Sequence, residues 1–342
     1  MNLRQLRYIC AIVHHDLRLS AAAASLNSSQ PGVSKQVQLL EQELGVVIFR
    51  RRRNRILSIT PAGKEIVRFA ELALRATRSI NDIGSDLRDV GGNMVIATTH
   101  THARYTLPAV VGRFRRSHPQ VKLQFLQGHR NEIFRAVEDG DADLAIGTDT
   151  DEALKSVALL PCGSFHRIAV VPPRHPLLRL KNVTLEKLLA YPLITYGLHT
   201  SRWKLSSICE AKQLSPDVVF SAADADTAKA YVELGSGIAI LPHFTYDRSR
   251  DKALRSVDVS HLFPAEVTRV GLSRERYIRR HTFDFLSLLS PRLTRSSVES
   301  MLLNRELRHI SGSAAGEDDL GSDRGGATQT GANALTPAHE HA

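Results

Sequence analysis

The chain has 342 residues, of which 42% are hydrophobic and 23% charged, with a formal net charge of +10. This length favours two or three domains over one core. No apolar run approaches the roughly 18 residues of a membrane span, and the start lacks the pattern of a secretory signal, so neither is expected. Three widely spaced cysteines, Cys10, Cys162 and Cys209, favour a reducing cytoplasm over a disulfide framework or a zinc module.

The positive charge is concentrated at the amino end. Residues 1–60 contain nine Lys or Arg against three Asp or Glu, which gives +6 of the +10. A compact basic segment favours a polyanion as partner, although a solvated surface also tolerates such an excess.

Residues 1–60 carry the pattern of a helix-turn-helix. AAAASL predicts a short helix capped by Ser20, and QPGVSKQVQLLEQELG predicts a second helix after the N-cap Ser29. The apolar face of the second helix comprises Val33, Val37, Leu40 and Leu44. The residues predicted to contact DNA from this helix are Ser29, Gln30, Pro31, Ser34, Lys35 and Gln38. A small helical bundle with a polar face is the alternative.

The stretch VVIFRRRRNRILSIT predicts a hairpin wing beside this helix. Two β-prone runs flank the basic segment Arg50 to Arg55, whose charges would repel one another unless phosphates or groove acceptors neutralised them. The arginines predicted to grip the DNA backbone, without sequence preference and with steep salt dependence, are Arg50, Arg51, Arg52 and Arg53.

The ordered pattern LRQLRYICAIVHHDLRLSAAAASLNSSQPGVSKQVQLLEQELGVVIFRR followed by LSITPAGKEI resembles the winged helix-turn-helix of LysR-type transcriptional regulators. The resemblance implies a cytoplasmic regulator rather than an enzyme, with double-stranded promoter DNA as partner. RNA polymerase is considered as a further partner.

Residues 61–90 predict a long linker helix that starts at Thr60 and Pro61 and stops at Gly91 and Gly92. Its heptad positions are Ile66, Phe69, Ala73, Ala76, Ile80, Ile83 and Leu87. Such a repeat is typical of a helix that packs along a partner helix, although it could also lie on its own domain. The resemblance implies a dimer or a dimer of dimers.

Residues 93–305 alternate predicted strands and helices, which indicates a mostly parallel sheet with helical crossovers. We expect two lobes, the first formed by about 93–162 and 268–305 and the second by about 163–267. This effector-binding arrangement resembles type II periplasmic binding proteins and the LysR effector domain. Residues 306–342 are rich in small and polar residues and are predicted to be disordered.

The stretch ATTHTHARY, residues 97–105, lies between a predicted strand and the next helix. Ligands in such sheets bind at the carboxyl ends of strands, where helix N-termini present free N–H groups. The hydroxyl-bearing residues predicted to face this cleft are Thr99, Thr101, Thr148 and Thr200. They suit a small anion or a carboxylate.

Together with LPCGSFHR and FSAADADTAKAYVELGSGI, this stretch is similar to the CysB-like subfamily, which controls sulfur assimilation. The resemblance implies that the four threonines and His102 bind sulfate, thiosulfate or an acetylserine-like effector, with no cofactor. His102 replaces a usual glutamine, and we expect its charge to change near neutral pH. The effector could instead be a different carboxylate from another pathway.

His100 and His102 could share one side of an extended chain and bind a metal, but no third ligand with fitting spacing is evident, so no metal site is predicted. Catalytic signatures such as GxSxG, GxGxxG and a P-loop are absent from the sequence. A solute-binding protein would share the lobes but would have no use for the basic amino end.

Overall fold

The computed structural model describes residues 1–52, 55–88, 91–148, 150, 154–196 and 202–303. Residues Met1–Met301 form one compact unit that contains a winged helix-turn-helix, a long helix and two five-stranded sheets. Within the described part of the chain, no helix has the length and apolar character of a membrane span. The predicted tail, 306–342, lies outside the described residues.

Three helices form the amino-terminal head: α1 (Leu3–His14), α2 (Leu19–Ser25) and α3 (Gln30–Leu44). Ser29 caps α3 as predicted, because its Oγ accepts a hydrogen bond of 3.3 Å from the N–H of Gly32. The predicted cap at Ser20 is wrong. The chain already turns through left-handed backbone at Asp16 and Leu17, so α2 begins one residue before Ser20.

The core of the head lies between α1 and α3. Val33, Val37 and Leu40 of α3 are fully buried, as their spacing predicts. Leu44 is exposed instead, because α3 ends there and Gly45 turns the chain away with a φ of 65°.

A single carboxylate fastens the wing to α3. The wing is an antiparallel pair, β1 (Phe49–Arg52) and β2 (Arg55–Ile59). Glu41 Oε1 accepts hydrogen bonds from the N–H groups of Ile48 and Phe49 at 2.8 and 3.0 Å. Its Oε2 lies 3.2 Å from Arg51 Nη2. The wing arginines were expected to need phosphates or groove acceptors as partners, and Arg51 departs from this expectation because Glu41 pairs with it.

Helix α4 (Pro61–Leu87) follows the wing directly and begins at the predicted cap, where Thr60 Oγ1 accepts from the N–H of Gly63 at 2.9 Å. The predicted stop at the glycine pair is wrong: α4 ends at Leu87, and Gly92 opens the next strand. The heptad residues that remain strongly exposed are Phe69, Ile80, Ile83 and Leu87. An apolar face is thus left along the helix.

The first sheet has the order β4-β3-β5-β12-β6. Its strands are β3 (Gly92–Thr98), β4 (Val121–Gln127), β5 (Leu144–Thr148), β6 (Val157–Phe165) and β12 (Glu266–Ser273), with helices α5 (Leu107–Ser117), α6 (Arg130–Glu138), α10 (Arg280–Leu289) and α11 (Arg295–Leu303). β3 pairs in parallel with β4 and β5, as the βαβ pattern predicts, whereas β12 runs antiparallel to its neighbours.

The second sheet has the order β11-β7-β10-β8-β9. Its strands are β7 (Arg167–Val171), β8 (Leu193–Tyr196), β9 (Val218–Ala222), β10 (Ile238–Pro242) and β11 (Arg255–Asp258), with helices α7 (Leu185–Leu189), α8 (Arg202–Ala211) and α9 (Ala225–Glu233). Short 3-10 turns occur at Pro176–Arg179, His243–Thr245 and Ser260–Leu262. The chain crosses between the sheets after β6 and again before β12, which produces the two predicted lobes, here called the first and second lobe.

Helix α4 is bound to the first lobe by charged side chains. Arg276 lies 2.7 Å from Asp143, which precedes β5, and 3.3 Å from Asp82 of α4. One turn further along α4, Asp86 accepts a hydrogen bond of 2.7 Å from the Tyr277 hydroxyl. Arg276, Asp82 and Asp143 line an open polar pocket of about 410 Å³.

Replacing the wing-fastening carboxylate, Glu41→Ala, should destabilise the wing locally. The variant leaves two backbone N–H groups and the Arg51 guanidinium without their acceptor, at a cost of about 2–3 kcal/mol. Amide exchange in residues 46–59 of the full chain should become about 30- to 100-fold faster, measured by hydrogen exchange. Glu65→Ala, which removes an exposed partner of Arg68, is the matched control and should leave this segment unchanged. Equal exchange in the two variants would contradict the role of Glu41.

Candidate functional site

The outer face of α3 presents most of the residues predicted to read DNA. Gln30, Lys35 and Gln38 are exposed. Ser34 is half-buried, and its Oγ accepts a hydrogen bond of 3.1 Å from Arg51 Nη1. Ser34 is therefore held by the wing, and its hydroxyl keeps one direction relative to its exposed neighbours.

The wing arginines differ in their surroundings. Arg50 and Arg52 are exposed, and Arg51 lies against α3 with both Glu41 and Ser34 as partners. Arg53 lies outside the described residues. The exposed pair can therefore contact phosphates directly, whereas Arg51 positions the wing.

A group of polar residues at the entrance of α3 was missed by sequence reasoning. Arg4 Nε donates to the Tyr8 hydroxyl at 2.6 Å, and that hydroxyl lies 3.2 Å from Ser28 Oγ. The Ser28 hydrogen bond, followed by that of Arg4, lowers the pKa of Tyr8. The only sequence signal is the four-residue spacing of Arg4 and Tyr8 on one face of α1.

The cleft between the lobes begins where β3 ends. Thr99 precedes a helical segment that starts at His100, passes through a π-helical turn at His102–Thr106 and continues into α5. The Thr99 carbonyl accepts from the N–H of Ala103 at 3.0 Å. π-helical turns of this kind are frequent at functional sites. The first N–H groups of the segment have no acceptor within the helix, and the N–H of His102 donates to Thr99 Oγ1 at 3.5 Å.

Two of the predicted threonines meet at this edge. β3 and β5 pair in parallel, with Thr98 opposite Ile146. Thr99 comes directly after β3 and Thr148 is the last residue of β5, so both lie at the same edge of the sheet. Thr101 is only 6% exposed, and among the described residues its hydroxyl makes no hydrogen bond. A hydroxyl without an internal partner at this position can donate to a ligand in the cleft. Thr200 lies outside the described residues.

His102 is buried in the wall of the cleft and is uncharged at neutral pH. Burial lowers the pKa of His102 to about 4. Its Nδ1 lies 3.1 Å from Thr106 Oγ1, and its ring stacks on Phe244 with the centroids 5.5 Å apart. The expected charge change near neutral pH is therefore wrong, because removal from water disfavours the imidazolium.

A contact across the cleft was also missed. The Tyr105 hydroxyl in the first lobe donates to Asp226 Oδ1 in the second lobe at 2.6 Å. Burial, together with this carboxylate, raises the pKa of Tyr105. Lys229 supports the contact: its Nζ lies 2.9 Å from Asp251 and 5.0 Å from the centre of the Tyr105 ring. The partners are too far apart in sequence for a local pattern to reveal them.

His100 and His102 do not form the side-by-side pair considered as a metal site. Both lie in a helical segment rather than an extended chain, and their side chains diverge: His102 is buried, whereas His100 is exposed. The nearest metal-binding side chains to His100 are Asp224 and Asp226, which belong to the second lobe.

Two protein families match the chain, and each covers one of these regions. Residues 3–64 match the bacterial regulatory helix-turn-helix protein, lysR family. Residues 88–294 match the LysR substrate binding domain.

Among similar proteins, the HTH-type transcriptional regulator CysB of Burkholderia cenocepacia is 42% identical over 304 residues, which cover 88% of this chain and 97% of CysB. The regulator SsuR of the same organism is 38% identical over 304 residues, covering 88% of this chain and 99% of SsuR.

Solved structures agree with this relationship. The cofactor-binding domain of the Cbl transcriptional regulator is 34% identical, with a TM-score of 0.59, over 63% of this chain and 94% of that domain. Full-length CbnR in complex with target DNA shares the fold, with a TM-score of 0.55 and 18% identity over 86% of this chain and 100% of that one. The chain therefore belongs to the LysR family of transcriptional regulators.

Proposed function

We propose that this regulator controls genes of sulfur assimilation and responds to a small anionic or acetylserine-like effector in the cleft between its lobes. The observation that carries the proposal is Thr101, a residue only 6% exposed just beyond the carboxyl end of β3, whose hydroxyl makes no hydrogen bond among the described residues. The similarity to CysB and SsuR supports the choice of pathway.

The chemistry of the described cleft residues favours an oxyanion. Thr99, Thr101 and Thr148 offer hydroxyls, and His102 offers a neutral imidazole. These groups donate hydrogen bonds without bringing a full positive charge. An anion bound in this way is recognised by directed hydrogen bonds, so its shape decides the selectivity.

The head divides its contacts between sequence reading and general affinity. Gln30 and Lys35 stand at the exposed start of α3, where helix-turn-helix proteins contact base edges. Gln pairs well with adenine, and Lys reaches guanine or phosphate. Arg50 and Arg52 of the wing supply backbone contacts, whose contribution falls with salt.

The exposed apolar face of α4 supports self-association. Ile80 is 68% exposed and Leu87 is 71% exposed on the same helix. Pairing of two such helices gives a dimer whose two heads read half-sites of a roughly palindromic sequence. Within this proposal the protein acts in the cytoplasm on promoter DNA and has no enzymatic activity.

Changes in the head should separate specificity from affinity. Gln30→Ala should reduce discrimination against one wrong base by about 1–3 kcal/mol, while binding to random DNA stays the same. Arg52→Ala should weaken binding to every sequence and reduce the salt slope by about 1. Binding of a footprinted promoter site and of random DNA at several salt concentrations measures both effects. Equal losses on the two DNAs for Gln30→Ala would contradict base reading.

The effector site should depend on one hydroxyl. Thr101→Val keeps the shape of the side chain but removes its donor, so effector affinity should fall about 10- to 100-fold, as expected for a lost hydrogen bond to a charged group. Calorimetry with sulfate, thiosulfate and acetylserine measures the change.

Thr77→Val is the control for this experiment, because the Thr77 hydroxyl bonds only to the Ala73 carbonyl within α4. It should bind the effector normally. DNA binding should persist in both variants. Unaltered effector affinity in Thr101→Val would refute the proposed site.

Burial of neutral His102 should make stability depend on pH. The pKa of His102 is lowered from about 6.5 in the unfolded chain to about 4 in the fold. As the pH falls, the unfolded chain therefore binds a proton at a higher pH than the folded chain does. The fold therefore loses up to about 3 kcal/mol as pH falls from 6.5 to 4. His102→Gln should lack this loss, so its melting temperature should decline less than that of the parent chain over this range. Parallel declines would contradict the burial of a neutral imidazole.

A further inference from the structure

We propose that His100, Asp224 and Asp226 form a binding site for one zinc-class divalent ion that bridges the two lobes at the mouth of the cleft. One ligand atom from each residue lies within 4.8 Å of the others. His100 follows β3 in the first lobe, while Asp224 and Asp226 stand at the start of α9 in the second. The site exists only because the lobes meet, so no spacing in the sequence reveals it.

The three side chains have free coordination capacity. Among the described residues, the exposed His100 ring makes no hydrogen bond. Each Asp224 oxygen accepts one hydrogen bond from Thr227, from the N–H at 2.8 Å and from the hydroxyl at 3.2 Å, which leaves further lone pairs. Asp226 Oδ1 accepts from Tyr105, and Oδ2 faces the Arg104 Nε only at 3.8 Å.

The same hydrogen bonds hold the carboxylates in place. Tyr105 fixes Asp226, and the capping interaction of Thr227 fixes Asp224. Supporting donors of this kind orient metal ligands and reduce the cost of assembling a site. The His100 ring is exposed, so it is free to turn toward the two carboxylates when an ion binds.

The local charge favours a cation. Asp224, Asp226 and Asp251 carry three negative charges, whereas Lys229 and Arg104 carry two positive ones. Lys229 lies closer to Asp251, at 2.9 Å, than to Asp226, at 3.7 Å. Arg104 has a side chain that is 53% exposed, so it can swing into solvent when an ion binds.

The ligand types select the ion. One imidazole nitrogen and two carboxylates suit zinc and similar metals, whereas magnesium and calcium prefer oxygen ligands alone. Three protein ligands leave a fourth position open to water or to an exogenous ligand. Because the ion would bind both lobes at once, it would stabilise their closed arrangement, independently of which effector binds at Thr101.

Zinc titration of the full, metal-free chain, followed by calorimetry, tests the site. The chain should bind one zinc ion with an affinity that falls at least about 100-fold in His100→Ala and in Asp224→Asn, since losing a ligand exceeds the loss of a supporting partner. Asparagine remains a good N-cap, so α9 stays folded in the second variant. Zinc should raise the melting temperature of the parent chain but not of His100→Ala.

Two control variants test whether other histidines bind the zinc. The sequence contains His339 and His341 near its end, and the double variant His339→Ala/His341→Ala should keep the bridging ion. His118→Ala, which removes a ring paired with one carboxylate, should also keep it. Absence of zinc binding, equal binding in His100→Ala, or loss only in the double variant would overturn the proposal.

Discussion

The Arg276 guanidinium joins the DNA-binding half of the chain to the effector-binding half. It contacts Asp82 on α4 and Asp143 at the entrance of β5, and the neighbouring Arg279 and Glu275 pair with Asp82 and Arg75 of the same helix. Helix α4 begins two residues after the end of β2, so the wing and this junction lie on one continuous stretch of chain. An effector changes DNA binding only if it has different affinities for the arrangements that this junction permits.

The two lobes contribute different kinds of side chain to the cleft. The first lobe supplies the hydroxyls of Thr99 and Thr101 and the neutral ring of His102, whereas the second lobe supplies charged groups at its rim. The Tyr105 hydroxyl donates to Asp226 across the opening, and Lys229 Nζ lies 3.7 Å from the same carboxylate. The charged contacts between the lobes thus lie at the rim, and the uncharged donors lie inside the cleft.

Particular residues show which structural features could be predicted from the sequence. The cap at Ser29, the buried Val33 and Val37, and the start of α4 at Pro61 follow from local rules and are found in the structure. Arg51 was assigned to DNA from the charge of its neighbours, yet Glu41 stands ten residues earlier on a different element and neutralises it. A charge count along the chain cannot show which arginine has an internal carboxylate.

By itself, the sequence determined the helix-turn-helix, the wing, the linker helix, the alternation of strands and helices in the effector domain and the position of the threonine-bearing segment after β3. These features depend on hydrogen bonds and apolar periods that span a few residues. Only the tertiary structure decided that His102 is buried and neutral, and that Tyr105 meets Asp226 across the cleft. Desolvation and charge pairing depend on which distant elements exclude water from a side chain, and that is set when the two lobes pack together.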